Sequence, residues 1–228
     1  MIKMVVFDMA GTTVDEDNVV YKTVQRAINE QGYDFTLEEV LEAGAGKEKL
    51  QAIKDVLALK GVQDEALAQV IFKNFAASLD EAYRTMPIKE QPGAGQLFQA
   101  LKERKIFVVL NTGYSRPVAE SLITKIGWQV GRDIDALVTA TDVPRNRPHP
   151  DMIWFAMEQL GVPDATLVAK VGDSAIDIAE GINAGCLVNV GITTGAQTRQ
   201  QLLSASPAAV IDNLLELLPL VITATATA

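Results

Sequence analysis

Cysteine and histidine each occur once in this chain of 228 residues. The lone thiol, Cys186, excludes an intrachain disulfide, and its place after Ala184 and Gly185 at the head of an apolar run suits a small buried residue. The lone imidazole, His149, lies between two prolines and reads as a turn residue rather than a proton shuttle. No apolar run reaches membrane-spanning length and no signal-peptide pattern precedes the first apolar segment, so no membrane association and a cytoplasmic location are expected. Positive charge is also scarce. Lys and Arg number 20 against 29 Asp and Glu, for a net charge of −9, and no basic cluster interrupts the excess. Nucleic acid and anionic lipid are therefore excluded as expected partners. What remains, 48% hydrophobic and 21% charged residues, is ordinary for a globular chain with one large α/β core and a smaller unit attached.

Short apolar runs recur at Met4–Phe7, Phe107–Leu110, Ala136–Val138, Leu167–Val171 and Val188–Val190, separated by helix-length stretches or loops. Strands alternating with helices imply an α/β fold with a doubly wound, Rossmann-like parallel sheet, whose ligands lie at the carboxyl ends of the strands. Between residues 16 and 90 the pattern is helical and shows no convincing strand. Thr36-Leu-Glu-Glu has the form of a capping box, and Val56, Leu57, Leu67, Val70, Ile71 and Phe75 keep helical spacing. Pro87, Pro92 and the Gly93–Gly95 segment mark the return to the sheet. The expected organisation is a catalytic core of residues 1–15 and 91–228 with a helical cap, residues 16–90, inserted after the first strand. Such a cap can close over a site and exclude water. Residues 223–228 alternate Thr and Ala and read as a low-complexity tail.

The residues with chemical potential follow the strand-like runs. Asp8 ends the first and precedes Gly11-Thr12-Thr13, and Asn111-Thr112-Gly113 ends the second. Arg147-Pro148 comes later, and Gly172-Asp173-Ser174-Ala175-Ile176-Asp177 follows Leu167–Val171. Alone, Asp-x-x-Gly-Thr is equally an Asp in a tight turn. Together the set supplies a carboxylate nucleophile, a hydroxyl donor, a cation for developing charge and acidic oxygen ligands for Mg²⁺. Trp128 and Trp154 read as helix-packing residues, and Gly191–Gly195 as a loop.

In this order the residues resemble the four motifs of the haloacid dehalogenase superfamily, over the chain to about residue 195. The resemblance implies a hydrolase in which Asp8 is the nucleophile and Thr112 and Arg147 bind the transferring group. It also implies that Asp173 ligates Mg²⁺ together with Asp8 and the Ala10 carbonyl, while Asp177 holds a metal-bound water. Ala10 departs from the phosphate-ester hydrolases of the superfamily, which carry there the Asp that protonates a leaving alkoxide. Asp-Met-Ala-Gly-Thr-Thr-Val-Asp instead resembles the opening motif of the phosphonatase (phosphonoacetaldehyde hydrolase) family. The leaving group of that family is carbon, released as an enamine after a cap lysine has formed an imine with the substrate aldehyde.

Gly46-Lys-Glu-Lys49 resembles the family's Gly-x-x-Lys segment, which makes Lys49 the implied Schiff-base former. On a helix, Gly46, Ala52 and Ile53 share its face and desolvate the amine, although taken by itself a lysine is ordinarily exposed. Thr112-Gly113-Tyr114-Ser115-Arg116 and Asn146-Arg147-Pro148-His149-Pro150 match the second and third motifs, so Gly46, Gly113 and Tyr114 are implied substrate contacts. The family histidine, cysteine and methionine are replaced here by Ala52, Asn18 and Ala45. The implied cofactor is Mg²⁺ and the implied substrate a small carbonyl phosphonate, phosphonoacetaldehyde or an analogue. A phosphatase for small phosphate esters is the alternative, needing only Asp8 and the metal. A dehalogenase would use Asp8 without metal, and a pure binding protein would give no product. A homodimer is among the assemblies left open.

Overall fold

A computed structural model describes residues 1–224. Six strands form one sheet in the order β5-β4-β1-β6-β7-β8, all parallel: β1 (Met4–Asp8), β4 (Phe107–Thr112), β5 (Ala136–Thr139), β6 (Val168–Gly172), β7 (Val188–Ile192) and β8 (Ala209–Ile211). The five expected apolar runs become β1, β4, β5, β6 and β7 because β-branched and apolar side chains suit a sheet buried on both faces. Alternation divides β1 between two cores: Val5 and Phe7 join the cluster containing Leu97 and Phe98, while Met4 and Val6 join Met152 and Ile153. Phe98 stands between Phe7 and Trp128, with ring centroids 5.4 and 5.0 Å away.

The chain runs outward from β1 to β4 and β5, then returns to the other side of β1 for β6, β7 and β8. This reversal makes the carboxyl ends of β1, β4 and β6 a topological switch point. Helices α5 (Ala94–Glu103), α6 (Arg116–Ile126), α7 (Asp151–Leu160), α8 (Ala175–Ala184), α9 (Arg199–Ser204) and α10 (Leu217–Thr223) accompany the sheet. Thr223 thus closes a helix instead of opening a tail, and residues 225–228 of that expected tail lie outside the described residues. Trp128 is buried, but Trp154 is 47% exposed and packs only in part, its indole N–H donating to the Ala184 carbonyl.

Between β1 and β4 lie α1 (Val19–Asn29), α2 (Leu37–Gly44), α3 (Lys49–Ala58) and α4 (Glu65–Thr85). Local signals start them. Thr36 and Glu39 form a reciprocal capping box on α2, Glu48 accepts from Leu50 N and Gln51 N at the head of α3, and Asp64 accepts from Leu67 N on α4. Val20, Val24, Ala27 and Ile28 give α1 the apolar stripe that buries it. The stretch expected to lack strands contains one at its end: β3 (Lys89–Glu90) pairs antiparallel with β2 (Val14–Asp15), joining the two connections to the helical segment. Each strand has two residues and β3 is exposed, too little for an alternation pattern to register.

Candidate active site

Asp8 is the last residue of β1, and Asp173 follows the last residue of β6, the neighbouring strand. One carboxylate oxygen from each of Asp8, Asp173 and Asp177 lies within 4.8 Å of the others, and all three residues are buried. Close backbone approach makes this arrangement possible. A side chain at Gly195, or at Gly11 with its φ of +77°, would collide with the Asp173 carboxylate, which also accepts a hydrogen bond from Ala196 N at 2.6 Å. Gly191 and Ile192 of the expected loop are the end of β7, and the loop that follows belongs to the site through Gly195.

Three buried carboxylates strain one another electrostatically. Burial, then repulsion from Asp8 and Asp177, holds the Asp173 carboxyl well above the usual carboxylate range. Asp8 is likewise raised by burial, against the pull of Arg147. Asp177 is the exception: burial opposes its charge, but Arg147 and Lys170 outweigh it and keep the group below its ordinary value. A hard divalent cation among these oxygens would relieve the repulsion on Asp8 and Asp173, so the donor set fits Mg²⁺.

Arg147 is nearly enclosed. It pairs with Asp8 at 2.7 Å, Asp177 at 3.0 Å and Glu180 at 3.1 Å, and donates to the carbonyl and side-chain oxygens of Asn111 at 2.9 Å each. Lys170 reinforces the network from β6, reaching Asp177 and Asn111 at 2.8 and 2.9 Å. Asp177 also accepts from Ser174 Oγ at 2.5 Å, so both of its oxygens are committed to side chains. Glu180 closes the network by accepting two hydrogen bonds from the Asn111 amide. Lys170 and Glu180 were not among the expected site residues, and Asn111 was noted only as the first residue of the polar segment after its strand. A lysine inside an apolar strand is nevertheless a signal, since such a charge must be paired, and Glu180 lies one helical turn after Asp177.

A small cavity above this network is lined by Asp8, Ala10, Thr112, Tyr114, Gly46 and Lys49, among others. Thr112 Oγ1 accepts from Tyr114 N at 3.2 Å, leaving the hydroxyl hydrogen free to donate elsewhere. Lys49 heads α3 and is 8% exposed, with its ammonium 2.8 Å from the Lys47 carbonyl and 4.9 Å above the Tyr21 ring. Burial lowers its pKa despite the nearby Asp8. Ala52 and Ile53 are buried beside it on α3, whereas Gly46 precedes the helix in a turn with φ +74° and does not share a helical face with it. That turn lies against Ser174 and Ile176, where any side chain at Gly46 would collide. Tyr21, from α1, accepts from Gly46 N at 2.9 Å and so braces the same turn. Lys47 instead pairs with Asp55, and His149 is exposed.

The structure thus gathers Asp8, Ala10, Gly46, Lys49, Thr112, Gly113, Tyr114, Arg147 and Asp173 around one cavity, with Asp177 beneath it. No helix among the described residues is long and apolar enough to cross a membrane.

Comparison with known proteins agrees with this geometry. A family model described as haloacid dehalogenase-like hydrolase matches residues 2–185. A phosphonoacetaldehyde hydrolase of Hahella chejuensis is 33% identical over 205 residues, covering 85% of this chain and 68% of the relative. One from Parabacteroides distasonis is 33% identical over 214 residues, with coverages of 86% and 77%. "Probable phosphatase IndB" of Dickeya dadantii is 28% identical over 217 residues and covers 95% and 92%. Among solved structures, a phosphonoacetaldehyde hydrolase like protein from Oleispira antarctica superimposes with a TM-score of 0.82 at 25% identity, covering 97% of this chain and 91% of that one. With the family model spanning most of its length and its motif residues collected at the switch point of the sheet, the chain belongs to the haloacid dehalogenase-like hydrolases.

Proposed function

We propose that this hydrolase cleaves the carbon–phosphorus bond of a small carbonyl phosphonate. Asp8 serves as the phosphoryl acceptor and Lys49 as the electron sink. The carrying observation is the buried, desolvated Lys49 amine lining the same cavity as Asp8, above a position, Ala10, that offers no acid for an alkoxide. Residues 16–90 act as the cap that brings Lys49 over the core, with the Gly46 turn packed against Ser174 and Ile176. The resemblance to phosphonoacetaldehyde hydrolases supports the reading, and phosphonoacetaldehyde or an analogue is the proposed substrate.

In this mechanism the neutral Lys49 amine attacks the carbonyl carbon, and loss of water leaves an iminium two bonds from phosphorus. Asp8 then attacks phosphorus. The electrons of the breaking carbon–phosphorus bond pass into the iminium to give an enamine, and an aspartyl-phosphate remains for hydrolysis. Arg147 and Thr112 neutralise and orient the phosphoryl oxygens. Asp8, Asp173 and the Ala10 carbonyl would hold Mg²⁺, which when bound offsets charge on those oxygens. Asp177, committed to Arg147 and Lys170, contributes mainly by fixing that frame, and would orient a water at the metal when one is bound. Phosphatase action on small esters is the second reading, favoured by the similarity to the Dickeya dadantii protein.

The test is phosphate release with Mg²⁺ from phosphonoacetaldehyde, related 2-oxoalkylphosphonates and common sugar phosphates. Release from the phosphonates with a carbonyl co-product is expected. Release from the esters alone would overturn the proposal.

Metal dependence follows from the carboxylate cluster. Chelation should silence the enzyme, and Asp173→Ala should weaken Mg²⁺ affinity by about 10-fold or more, measured by calorimetry and by activity against Mg²⁺ concentration. Undiminished turnover in metal-free buffer would count against the assignment.

A further inference from the structure

One buried acid has no part in the mechanism above. Glu16 leaves β2 for α1, is 3% exposed, and accepts hydrogen bonds from Val20 N at 3.2 Å and the Tyr83 hydroxyl at 3.1 Å. The Tyr83 hydroxyl lies 2.8 Å from that of Tyr114, with the two rings edge to face. Tyr83 and Tyr114 are themselves 5% and 6% exposed, and Tyr114 lines the cavity that contains Lys49. The three side chains form an unbranched chain of oxygens from the connection at Glu16, through α4, to the core loop after β4.

We propose that Glu16, acting through Tyr83 and Tyr114, supplies and recovers the proton needed to make and break the Lys49 imine. This rests on the reading of Lys49 as Schiff-base former and adds to it a role for Glu16 and Tyr83, which have no place in the motifs. The chemistry requires such a group. When the Lys49 nitrogen has bonded to the carbonyl carbon, the carbinolamine hydroxyl must leave as water, and it needs a proton to do so. Ala52 and Ala10 carry none. In the proposed step the hydroxyl takes the Tyr114 proton as its C–O bond breaks and the nitrogen lone pair forms C=N⁺. Tyr114 recovers a proton from Tyr83, and Tyr83 from Glu16, which is left as carboxylate. After carbon–phosphorus cleavage the enamine carbon takes a proton from solvent water and becomes an iminium again; water then attacks the iminium carbon, and the proton that this water sheds returns along the same oxygens to Glu16. Each hydroxyl ends the cycle as it began.

Two features suit Glu16 to this task. Burial, opposed by the Tyr83 and Val20 hydrogen bonds, raises its pKa to about 7, so it holds a proton at neutral pH and can release it. The charged or titratable groups that face it are Tyr83 from α4, Lys49 from α3, Asp8 from β1, and the tyrosines 21 and 114. The phenols are pushed well above their ordinary values by burial, so they pass protons without retaining charge.

The experiment measures borohydride trapping of Lys49 by phosphonoacetaldehyde, together with acetaldehyde release, from pH 5.5 to 9 in the full-length wild type, Glu16→Gln and Tyr83→Phe. Gln keeps the shape and an acceptor oxygen but is no acid, while Phe keeps the ring and cuts the relay with Glu16 intact. Circular dichroism establishes that each variant is folded. Wild-type trapping should lose rate above about pH 7, and both variants should trap about 10²-fold more slowly, without that falling limb. A purely structural contact between α4 and the core would shift KM and leave the limb in place in Tyr83→Phe, which would overturn the relay. Wild-type trapping on Lys49 with an undiminished Glu16→Gln would overturn the relay alone. Absence of any wild-type adduct and of acetaldehyde would overturn the imine reading and the relay together.

Discussion

Asp8→Asn should abolish turnover, by on the order of 10⁴-fold or more in kcat, while the protein remains folded. The amide is nearly isosteric but cannot attack phosphorus. Removing a buried partner of Arg147 ordinarily destabilises, on the order of 3–5 kcal/mol for an isolated pair. Here Arg147 retains Asp177, Glu180 and Asn111, and Asp173 loses a repulsive neighbour. The net stability change should therefore be much smaller than for an isolated pair. Phosphate release and thermal unfolding monitored by circular dichroism check the two halves separately. A folded variant that keeps most of its activity would remove Asp8 from the mechanism.

Lys49→Arg is expected to stop carbon–phosphorus cleavage, by roughly 10³-fold or more, because guanidinium stays protonated and cannot add to a carbonyl. In the wild type, borohydride added during turnover of phosphonoacetaldehyde should inactivate the enzyme and leave a reduced adduct that peptide mapping places on Lys49. Borohydride alone should not. The contrast with Lys47 is built into the structure: Lys47 pairs with Asp55 and is 34% exposed, whereas Lys49 is buried with a lowered pKa. An adduct on Lys47 would move the assignment by two positions. Lys49→Arg hydrolysing phosphate esters at the wild-type rate, with no adduct in the wild type, would favour the ester reading.

Much of this site could be read from the chain because its residues follow apolar runs directly. Asp8, Thr112 and Asp173 sit where a buried parallel strand gives way to the loop after it, and the strand pattern locates that junction within a residue or so. Elements with little pattern escaped. β8 is three residues, Ala209–Ile211, confined between Pro207 and Asp212, and the β2–β3 pair has only two residues on each strand. The partners of Arg147 escaped for another reason. Lys170 counts as one polar interruption in an apolar strand and Glu180 as one polar position on a helix, and only tertiary pairing gives either a meaning. Tyr21 and Glu16 show the same limit: spacing assigns a residue to a face but does not reveal which phenol or carboxylate that face meets.

The place of β1 in the middle of the sheet has a consequence for biosynthesis. Val5 lies opposite Val108 on one side and Ala169 on the other, so the strand that carries Asp8 leaves the ribosome long before either neighbour exists. Any product that stops short of β6 lacks one wall of the strand and the Asp173 carboxylate together. Such a fragment would expose an apolar edge, with Asp8 lacking its Asp173 neighbour. The cluster of three carboxylates is therefore completed only late in chain growth, which lengthens the time that Met4–Phe7 must wait for cover.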